Sequence, residues 1–192
     1  MSRPLDPGPA EGDPAPDIDL LAPWGKDVPL SFFWQDRPAV VVFLRYFGCP
    51  FCQAQVVGLR EDRELFQEAG ANVVLVGQGS PEEEDAFRRA RRVPFPVLLD
   101  SNLAAYRGYG LGPGSALQIF GPRVAGPFLR ANLHRETLQR GLHGGSFFQM
   151  PGTFVVDTAG VVRLAHRNRT VADNPRNETL LHVLSGLMRS PV

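Results

Sequence analysis

The sequence predicts an α/β fold in which helices flank a central, mixed β-sheet. Strand-like apolar segments alternate along the chain with helix-like segments, and a pair of strands and a helix close it. The run 39–44 is continuously apolar and largely β-branched, which is typical of a central strand buried on both faces. With 192 residues, of which 43% are hydrophobic and 21% charged, the chain is long enough for one domain with a sizeable core.

Two β-hairpins are predicted in addition to the central run. The segments 17–21 and 28–33 are short and apolar, and a turn around Gly25 joins them into an N-terminal hairpin. Residues 157–160, Asp-Thr-Ala-Gly, have the composition of a turn and join the strands of a second hairpin. The strands predicted after the central run cover residues 72–76, 95–99, 153–156 and 161–165.

Three helices are predicted between these strands. The first begins at Pro50, a residue suited to the first helical position, and runs for about five turns to a stop at Gly70. The second opens with a capping box formed by Ser80 and Glu83, which stand three residues apart. A brief third helix is expected over 102–109.

The domain organisation follows from composition. Residues 1–16 are rich in Pro, Gly and Asp and predict a flexible N-terminal arm ahead of a single domain over 17–192. The alternation of strands and helices breaks over about 111–145, which is interpreted as an insertion with weak helical character at 130–142. A helix that starts at Asn174 closes the domain. Its core-facing residues are predicted to be Leu180, Leu181, Leu184, Leu187 and Met188.

The composition also argues against several function classes. The formal net charge is zero and the isoelectric point is about 6.9, so the chain lacks the basic surface expected for binding nucleic acid or an anionic membrane. No stretch of about 18 apolar residues occurs, so no membrane span is predicted. The first 16 residues lack the apolar core of a secretory signal, and a cytoplasmic location is expected.

The only two cysteines, Cys49 and Cys52, are separated by two residues. A bridge this short closes almost no loop and adds little stability, so chemistry explains the pair better than stapling does. A zinc site would need two further ligands. The histidines lack the spacing of ligand pairs and stand at His134, His143, His166 and His182. Redox chemistry is therefore preferred over zinc binding or inert packing, and neither a metal nor another cofactor is expected.

Cys49 is expected at the N-cap of the first helix, because a buried strand, a tight turn at Gly48 and then Pro50 place it there. The unpaired N–H groups and the dipole of the helix favour a thiolate, so the pKa of Cys49 is expected to fall to about 3.5 to 7.5. Cys49 is the predicted nucleophile. Cys52, one turn further on, is the predicted resolving thiol, which attacks the mixed disulfide or sulfenic acid formed on Cys49.

Two residues outside the cysteine pair are candidates for the same site. Arg45 lies four residues before Cys49 at the end of the central strand, where it would either stabilise a thiolate or be an ordinary surface arginine. Pro151 precedes a strand, and the Met150–Pro151 bond is open to either a cis or a trans geometry.

The segments 12–17 and 48–52, Gly-Asp-Pro-Ala-Pro-Asp and Gly-Cys-Pro-Phe-Cys, resemble the peroxiredoxin-like branch of the alkyl hydroperoxide reductase/thiol-specific antioxidant (AhpC/TSA) family. Two later blocks, 95–100 and 149–157, agree with this resemblance, which extends over about 12–175. It implies a thioredoxin fold, thiol-dependent redox activity and, often, reduction of hydroperoxides.

The resemblance also implies partners and a geometry. The substrate would be a peroxide or a disulfide, and a thioredoxin-type protein or a small thiol would supply electrons. A homodimer is left open as the assembly. The resemblance favours a cis Met150–Pro151 bond. The residues expected to support the two cysteines are Arg45, Tyr46, Pro50, Phe51 and Pro151.

The centre differs from that of a typical peroxiredoxin. Such proteins carry a proline seven residues and a threonine or serine three residues before the reactive cysteine, where this chain has Val42 and Tyr46. They also carry an arginine on a later strand, where this chain has Pro151, a proline as in thioredoxins. Arg45 and Arg167 are the candidates to replace that arginine.

Three functional hypotheses follow from these features. The first is a peroxiredoxin-like enzyme that reduces a peroxide or a disulfide through an intramolecular Cys49–Cys52 disulfide. The second is a thioredoxin-like disulfide reductase without significant peroxidase activity. The third is a non-enzymatic redox sensor, in which the cysteine couple changes the shape of the 111–145 segment.

Overall fold

The computed structural model describes residues 7–124, 126 and 145–188, which contain one seven-stranded mixed sheet. The strands are β1 (Asp19–Leu21), β2 (Asp27–Pro29), β3 (Ala39–Phe43), β4 (Asn72–Gly77), β5 (Val97–Leu99), β6 (Gly152–Val156) and β7 (Val162–Arg167). They lie in the order β2-β1-β5-β4-β3-β6-β7. β3 pairs in parallel with β4, and β4 with β5, whereas the other neighbours are antiparallel. The predicted α/β class with a mixed sheet and two hairpins is confirmed.

The helices cover both faces of this sheet. Those with described bounds are α1 (Pro50–Glu61), α2 (Arg63–Glu68), α3 (Pro81–Arg91), α4 (Ala104–Gly108), α5 (Ala116–Phe120) and α6 (Asn177–Met188). Within the described ranges, no helix combines the length and the apolar character needed to cross a membrane.

The second strand of the N-terminal hairpin is shorter than the predicted segment 28–33. β2 ends at Pro29, and Leu30–Phe33 forms a 3-10 helix. The carboxylate of Asp17 accepts a hydrogen bond from the backbone N–H of Ser31 at 2.8 Å. The Asp17 side chain thus accepts from an N–H that a continued strand would use for pairing, and β2 ends before it.

The long helix predicted from Pro50 to Gly70 is instead two helices, α1 and α2, which meet at Asp62. Asp62 has φ −93° and ψ 15°, outside α-helical geometry. Its carboxylate accepts a hydrogen bond from Nδ2 of Asn177 on α6 at 2.8 Å. The bend is therefore tied to a residue 115 positions away in the chain, which no local pattern could reveal.

β3 divides the core into two parts, because successive side chains of a strand point to opposite faces of the sheet. Val40 and Val42 face the part that also contains α1 and both cysteines. Val41 and Phe43 face the opposite part. All five residues of β3 are buried, which explains why the run is apolar without alternation.

The last helix packs on the sheet through Leu180 and Leu184, which are fully buried, while Leu181 and Leu187 are partly buried. The prediction was wrong for Met188, whose side chain is 58% exposed. Met188 follows the last buried residue by a full turn, so it lies beyond the part of α6 that packs on the core.

The segment predicted as a flexible arm makes contacts with β7 and the turn before it. The backbone N–H groups of Gly12 and Ala15 donate to the carbonyls of Val162 and Gly160, both at 2.8 Å. These contacts argue against a flexible arm over residues 7–16, and residues 1–6 lie outside the described part. The predicted weak helix at 130–142 also lies outside the described residues.

Candidate active site

Cys49 lies at the N-cap of α1, at the end of the connection that leaves β3 at Phe43. Its backbone N–H donates to the carbonyl of Tyr46 at 3.1 Å, and its carbonyl accepts from the N–H of Gln53 at 2.9 Å. Pro50 needs no partner at the first helical position, since it has no N–H. The predicted placement of Cys49 is confirmed.

The thiol of Cys49 is fully buried, which by itself would raise its pKa. Four groups outweigh burial and lower the pKa of Cys49 to about 6. They are the thiol of Cys52, which donates a hydrogen bond, the backbone N–H of Cys52, the charge of Arg45 and the backbone N–H of Phe51. Both N–H groups lie at the positive end of the helix dipole, which favours a negative charge there. The thiolate therefore predominates at neutral pH.

Cys52 lies in the first turn of α1 and is also buried. Its hydrogen bond to Cys49, its burial and the negative charge on Cys49 raise the pKa of Cys52 well above its usual value. Its Sγ also accepts a hydrogen bond from the backbone N–H of Arg45 at 3.2 Å. Neither cysteine is in a disulfide. The two are unequal, because the pKa of Cys49 is lowered while that of Cys52 is raised.

Arg45 is buried beside the cysteines, with only 3% of its surface exposed. Its Nη1 lies 4.0 Å from Sγ of Cys49, and its Nη2 donates to the carbonyl of Phe147. The guanidinium carbon lies 4.3 Å from the centroid of the Phe147 ring and 5.2 Å from that of Tyr46. The alternative of an ordinary surface arginine is wrong, because this charge is held inside the protein against the thiol.

The 145–149 segment reaches this site through contacts that no motif in the sequence indicates. Gln78, directly after β4, accepts a hydrogen bond from the N–H of Ser146 at 2.8 Å and donates to its carbonyl at 3.1 Å. The same side chain donates to the carbonyl of Arg45. Gln78 and Phe147 stand 33 and 102 positions after Arg45 in the chain, so no local motif marks either of them.

A cavity of about 360 Å³ lies next to the turn that carries Cys49. The chain neighbours of Cys49 line part of it, namely Arg45, Tyr46 and Pro50. The remaining wall is apolar and consists of Phe51, Ile119, Phe120, Val124, Phe147 and Val171. The rings of Phe120 and Phe147 stack with their centroids 5.8 Å apart. The site therefore adjoins an aromatic, apolar pocket that is large enough for a small organic molecule.

Tyr46 forms a side of this pocket. Burial and the negative charge of Cys49 raise the pKa of Tyr46, so its hydroxyl stays protonated at neutral pH. Its ring centroid lies 5.6 Å from that of Phe147, and both rings contact the guanidinium of Arg45. Tyr46 thus supports Arg45 instead of supplying the small hydroxyl side chain of a typical peroxiredoxin.

Pro151 directly precedes β6, whose first residue Gly152 lies opposite Phe43 at the end of β3. Pro151 therefore lies at the same end of the sheet as the C-terminus of β3, from which the chain leads to the cysteines. The predicted cis Met150–Pro151 bond is wrong, since no cis peptide bond occurs among the described residues. Pro151 is buried and its carbonyl accepts from the N–H of Asn168 at 3.3 Å, so the strand pairing extends up to the proline.

Arg167, the other candidate for the missing arginine, lies on the opposite face of the sheet. Its Nε donates to the carbonyl of Tyr109 at 2.9 Å, and its Nη2 donates to that of Pro9 at 2.8 Å. Its guanidinium carbon lies 5.1 Å from the ring centroid of Phe154. Of the two candidates, only Arg45 is at the thiols.

An interior strand that leads to a buried N-cap cysteine of lowered pKa, with a second cysteine one turn further on, is the arrangement expected in a thiol-dependent oxidoreductase with a thioredoxin fold. The profile of the AhpC/TSA family matches residues 11–165, and the chain belongs to this family. It is thus an enzyme of the peroxiredoxin-like group.

Curated relatives and solved structures agree with this assignment. Peroxiredoxin-like 2C of Homo sapiens is 27% identical, over 92% of this chain and 84% of that protein. Thioredoxin-like protein AAED1, chloroplastic, of Arabidopsis thaliana is also 27% identical, over 91% of this chain and 73% of that protein. The crystal structure of peroxidoxin BcpB from Mycobacterium tuberculosis, 21% identical, matches with a TM-score of 0.68 over 92% of this chain and 97% of that chain. The last likeness confirms the fold.

Proposed function

We propose that this chain is a thiol peroxidase in which Cys49 attacks an organic hydroperoxide and Cys52 closes an intramolecular disulfide. One observation carries the proposal: the buried sulfur of Cys49 lies 4.0 Å from the guanidinium of Arg45, and Arg45 in turn lines a largely apolar cavity of about 360 Å³. A substrate for this sulfur must fit inside the protein. A small hydroperoxide does so, whereas a disulfide on the surface of another protein does not.

In the first step, the thiolate of Cys49 attacks the terminal oxygen of the hydroperoxide. An S–O bond forms and the O–O bond breaks, which leaves a sulfenic acid on Cys49 and an alkoxide that takes a proton to become the alcohol. The guanidinium of Arg45 stabilises the negative charge as it moves from sulfur to the departing oxygen. A positioned donor or cation of this kind contributes about 100- to 1,000-fold to a rate.

In the second step, Cys52 must lose its proton before it attacks. Its hydrogen bond to Cys49 and the negative charge of Cys49 both hold the pKa of Cys52 high, and both are lost when Cys49 becomes a neutral sulfenic acid. Sulfur of Cys52 then bonds to sulfur of Cys49, and the hydroxyl group leaves as water. A small thiol that fits the cavity supplies the two electrons and two protons that restore both thiols, and a thioredoxin-type donor stays a prediction.

A disulfide reductase is the second candidate. Pro151 at the edge of the sheet and Tyr46 in place of a small hydroxyl residue favour it, since both make the centre more like that of a thioredoxin. The burial of both sulfurs opposes it, because a protein disulfide would have to displace the wall of the site. A cytoplasmic location and a homodimeric assembly stay predictions.

Consumption of cumene hydroperoxide and of hydrogen peroxide, measured beside the reduction of insulin disulfides, tests the proposal. We expect turnover of both peroxides, with cumene hydroperoxide preferred because its ring can contact the apolar wall, and little reduction of insulin. Cys49→Ser provides the blank. Peroxide turnover no faster than that of a free thiol, together with rapid insulin reduction, would establish the second candidate instead.

A further inference from the structure

We propose that Gln78 is a positioning residue of the thiol site, whose side-chain amide fixes the 145–147 segment where it orients the guanidinium of Arg45 toward Cys49. The proposal rests on the proposed role of Cys49 as the nucleophile. It concerns the state of that thiol and is independent of the oxidant.

The amide of Gln78 is 3% exposed and uses all of its polar groups. Its two N–H hydrogens have two acceptors, the carbonyls of Ser146 and Arg45, and its oxygen accepts from the N–H of Ser146. The reciprocal pair with Ser146 repeats the pattern by which two residues face each other in an antiparallel sheet. A side chain thus fixes the register of a backbone segment.

Gly145 lies so close to the side chain of Gln78 that a Cβ would not fit between them. Its φ is +92°, in the region that favours glycine, and a Cβ at this position would lie 2.3 Å from Cδ of Gln78. Any other residue would push the amide and the segment apart. Gln78 and Gly145 therefore belong to one contact.

The contact bears directly on Arg45. The residue after Ser146 is Phe147, whose carbonyl accepts from Nη2 and whose ring centroid lies 4.3 Å from the guanidinium carbon. Without Gln78, the backbone of Ser146 loses both of its hydrogen bonds to that side chain and the support of Arg45 can shift. The guanidinium is then free to turn away from the sulfur of Cys49.

The far end of the same segment is held by other groups. The amide of Gln149, also 3% exposed, donates to the carbonyl of Leu111 at 3.0 Å. The carbonyl of Phe148 accepts from the N–H of Gly114 at 2.7 Å. The backbone N–H of Gln149 donates to the carbonyl of Ser146 at 3.1 Å, and a side-chain substitution leaves that bond in place. The side chain of Gln149 is therefore a matched control for that of Gln78, with the same residue type and exposure but no described hydrogen bond to Ser146 or Arg45.

The test is the pH dependence of alkylation of Cys49 by iodoacetamide, in a Cys52→Ser background that leaves one thiol. The other ionisable groups acting on that thiol are Arg45 and Tyr46. We expect Gln78→Leu to raise the apparent pKa of Cys49 by about half a unit or more. At a pH below that pKa, this means about threefold less thiolate. Arg45→Met should raise it as well, and the double variant no further than Arg45→Met, because Gln78 acts through Arg45. Gln149→Leu should titrate as the parent does.

Thermal unfolding checks that each variant is folded, and Gln78→Asn, whose amide is one methylene too short to span the contact, replaces Gln78→Leu if the latter does not fold. An unchanged titration, an additive shift in the double variant or an equal shift in Gln149→Leu would each overturn the proposal. Alkylation requires no peroxide, so a protein without peroxidase activity could still show this coupling. Conversely, an unchanged titration would leave the peroxidase proposal intact.

Discussion

Two helices of this protein, α1 and α3, start with a similar residue pattern but differ in the groups that interact with their N-termini. α1 follows Cys49 and α3 follows Ser80, and each has a proline at its first position. In α3, the N–H of Glu83 donates to Oγ of Ser80 at 3.3 Å, and the N–H of Ser80 donates to the carboxylate of Glu83 at 2.9 Å. In α1, the two matching positions are occupied by Cys49 and Cys52. The motif Cys-Pro-Phe-Cys is thus a thiol counterpart of the capping box Ser-Pro-Glu-Glu.

The difference lies in what neutralises the positive end of each helix. The first turn of α3 contains Glu82, Glu83 and Glu84, so its capping groups and its dipole are already satisfied. The first turn of α1 contains no acidic residue, and the N–H groups there, together with Arg45, stabilise the negative charge of Cys49. The start of α3 therefore stabilises its helix, whereas the start of α1 lowers the pKa of a thiol, which is the basis of its proposed reactivity.

The largest expected effect comes from exchanging the thiols of α1. Cys49→Ser should abolish the reaction with a hydroperoxide in single-turnover kinetics, since serine has no thiolate. Cys52→Ser should retain the first oxidation and stop at a sulfenic acid on Cys49, which dimedone traps and mass spectrometry detects. Loss of the first oxidation in Cys52→Ser, with retention in Cys49→Ser, would reverse the two roles.

Removal of the buried cation should have the next largest effect. Arg45→Met is expected to raise the pKa of Cys49 and to slow hydroperoxide reduction by about 100- to 1,000-fold, because the charge stabilises both the thiolate and the departing oxygen. Arg167→Met is the control, since that arginine lies on the other face of the sheet. Similar rate losses in both variants would mean that the effect is structural.

The lowered pKa of Cys49 predicts how stability depends on pH. This pKa falls from 9.0 to about 6 on folding, so the stabilisation is complete above the unfolded value and is lost as the pH falls through about 6. The free energy of unfolding of the reduced protein should therefore rise between pH 6 and 8, by at most about 1.4 kcal/mol per pH unit. The raised pKa of Cys52 acts in the opposite direction, but only at more alkaline pH. Urea unfolding of the reduced wild type and of Cys49→Ser measures this, and equal slopes in both would contradict it.

The smallest effect is expected at the start of α3. Ser80→Ala removes one half of the capping box and should lower the free energy of unfolding by about 1 kcal/mol. The titration of Cys49 should not change, because the described hydrogen bonds of Ser80 stay within the first turn of α3. A shift in that titration would show that the two sites are coupled after all.

Local patterns were enough to predict the reactive motif and much of its setting. The buried run of β3, the turn before Cys49, Pro50 at the first helical position and the capping box at Ser80 depend on groups within a few residues of one another. Backbone hydrogen bonding, the geometry of proline and the helix dipole act over that range. The proposed order of nucleophile and resolving thiol rests on the same local physics.

The tertiary structure decided whatever depends on residues far apart in the chain. The order of the strands places Gln78 and Phe147 around Arg45, and this contact turns an arginine at a strand end into a buried cation beside a thiolate. Contacts over long separations also end β2 early and divide the first long helix at Asp62. Such contacts form only when the sheet is assembled, and neither hydrophobic periodicity nor capping signals encode them. Residues near Cys49 in the chain therefore determine where the negative charge lies, whereas the fold determines that Arg45 is buried beside it and lines an apolar cavity.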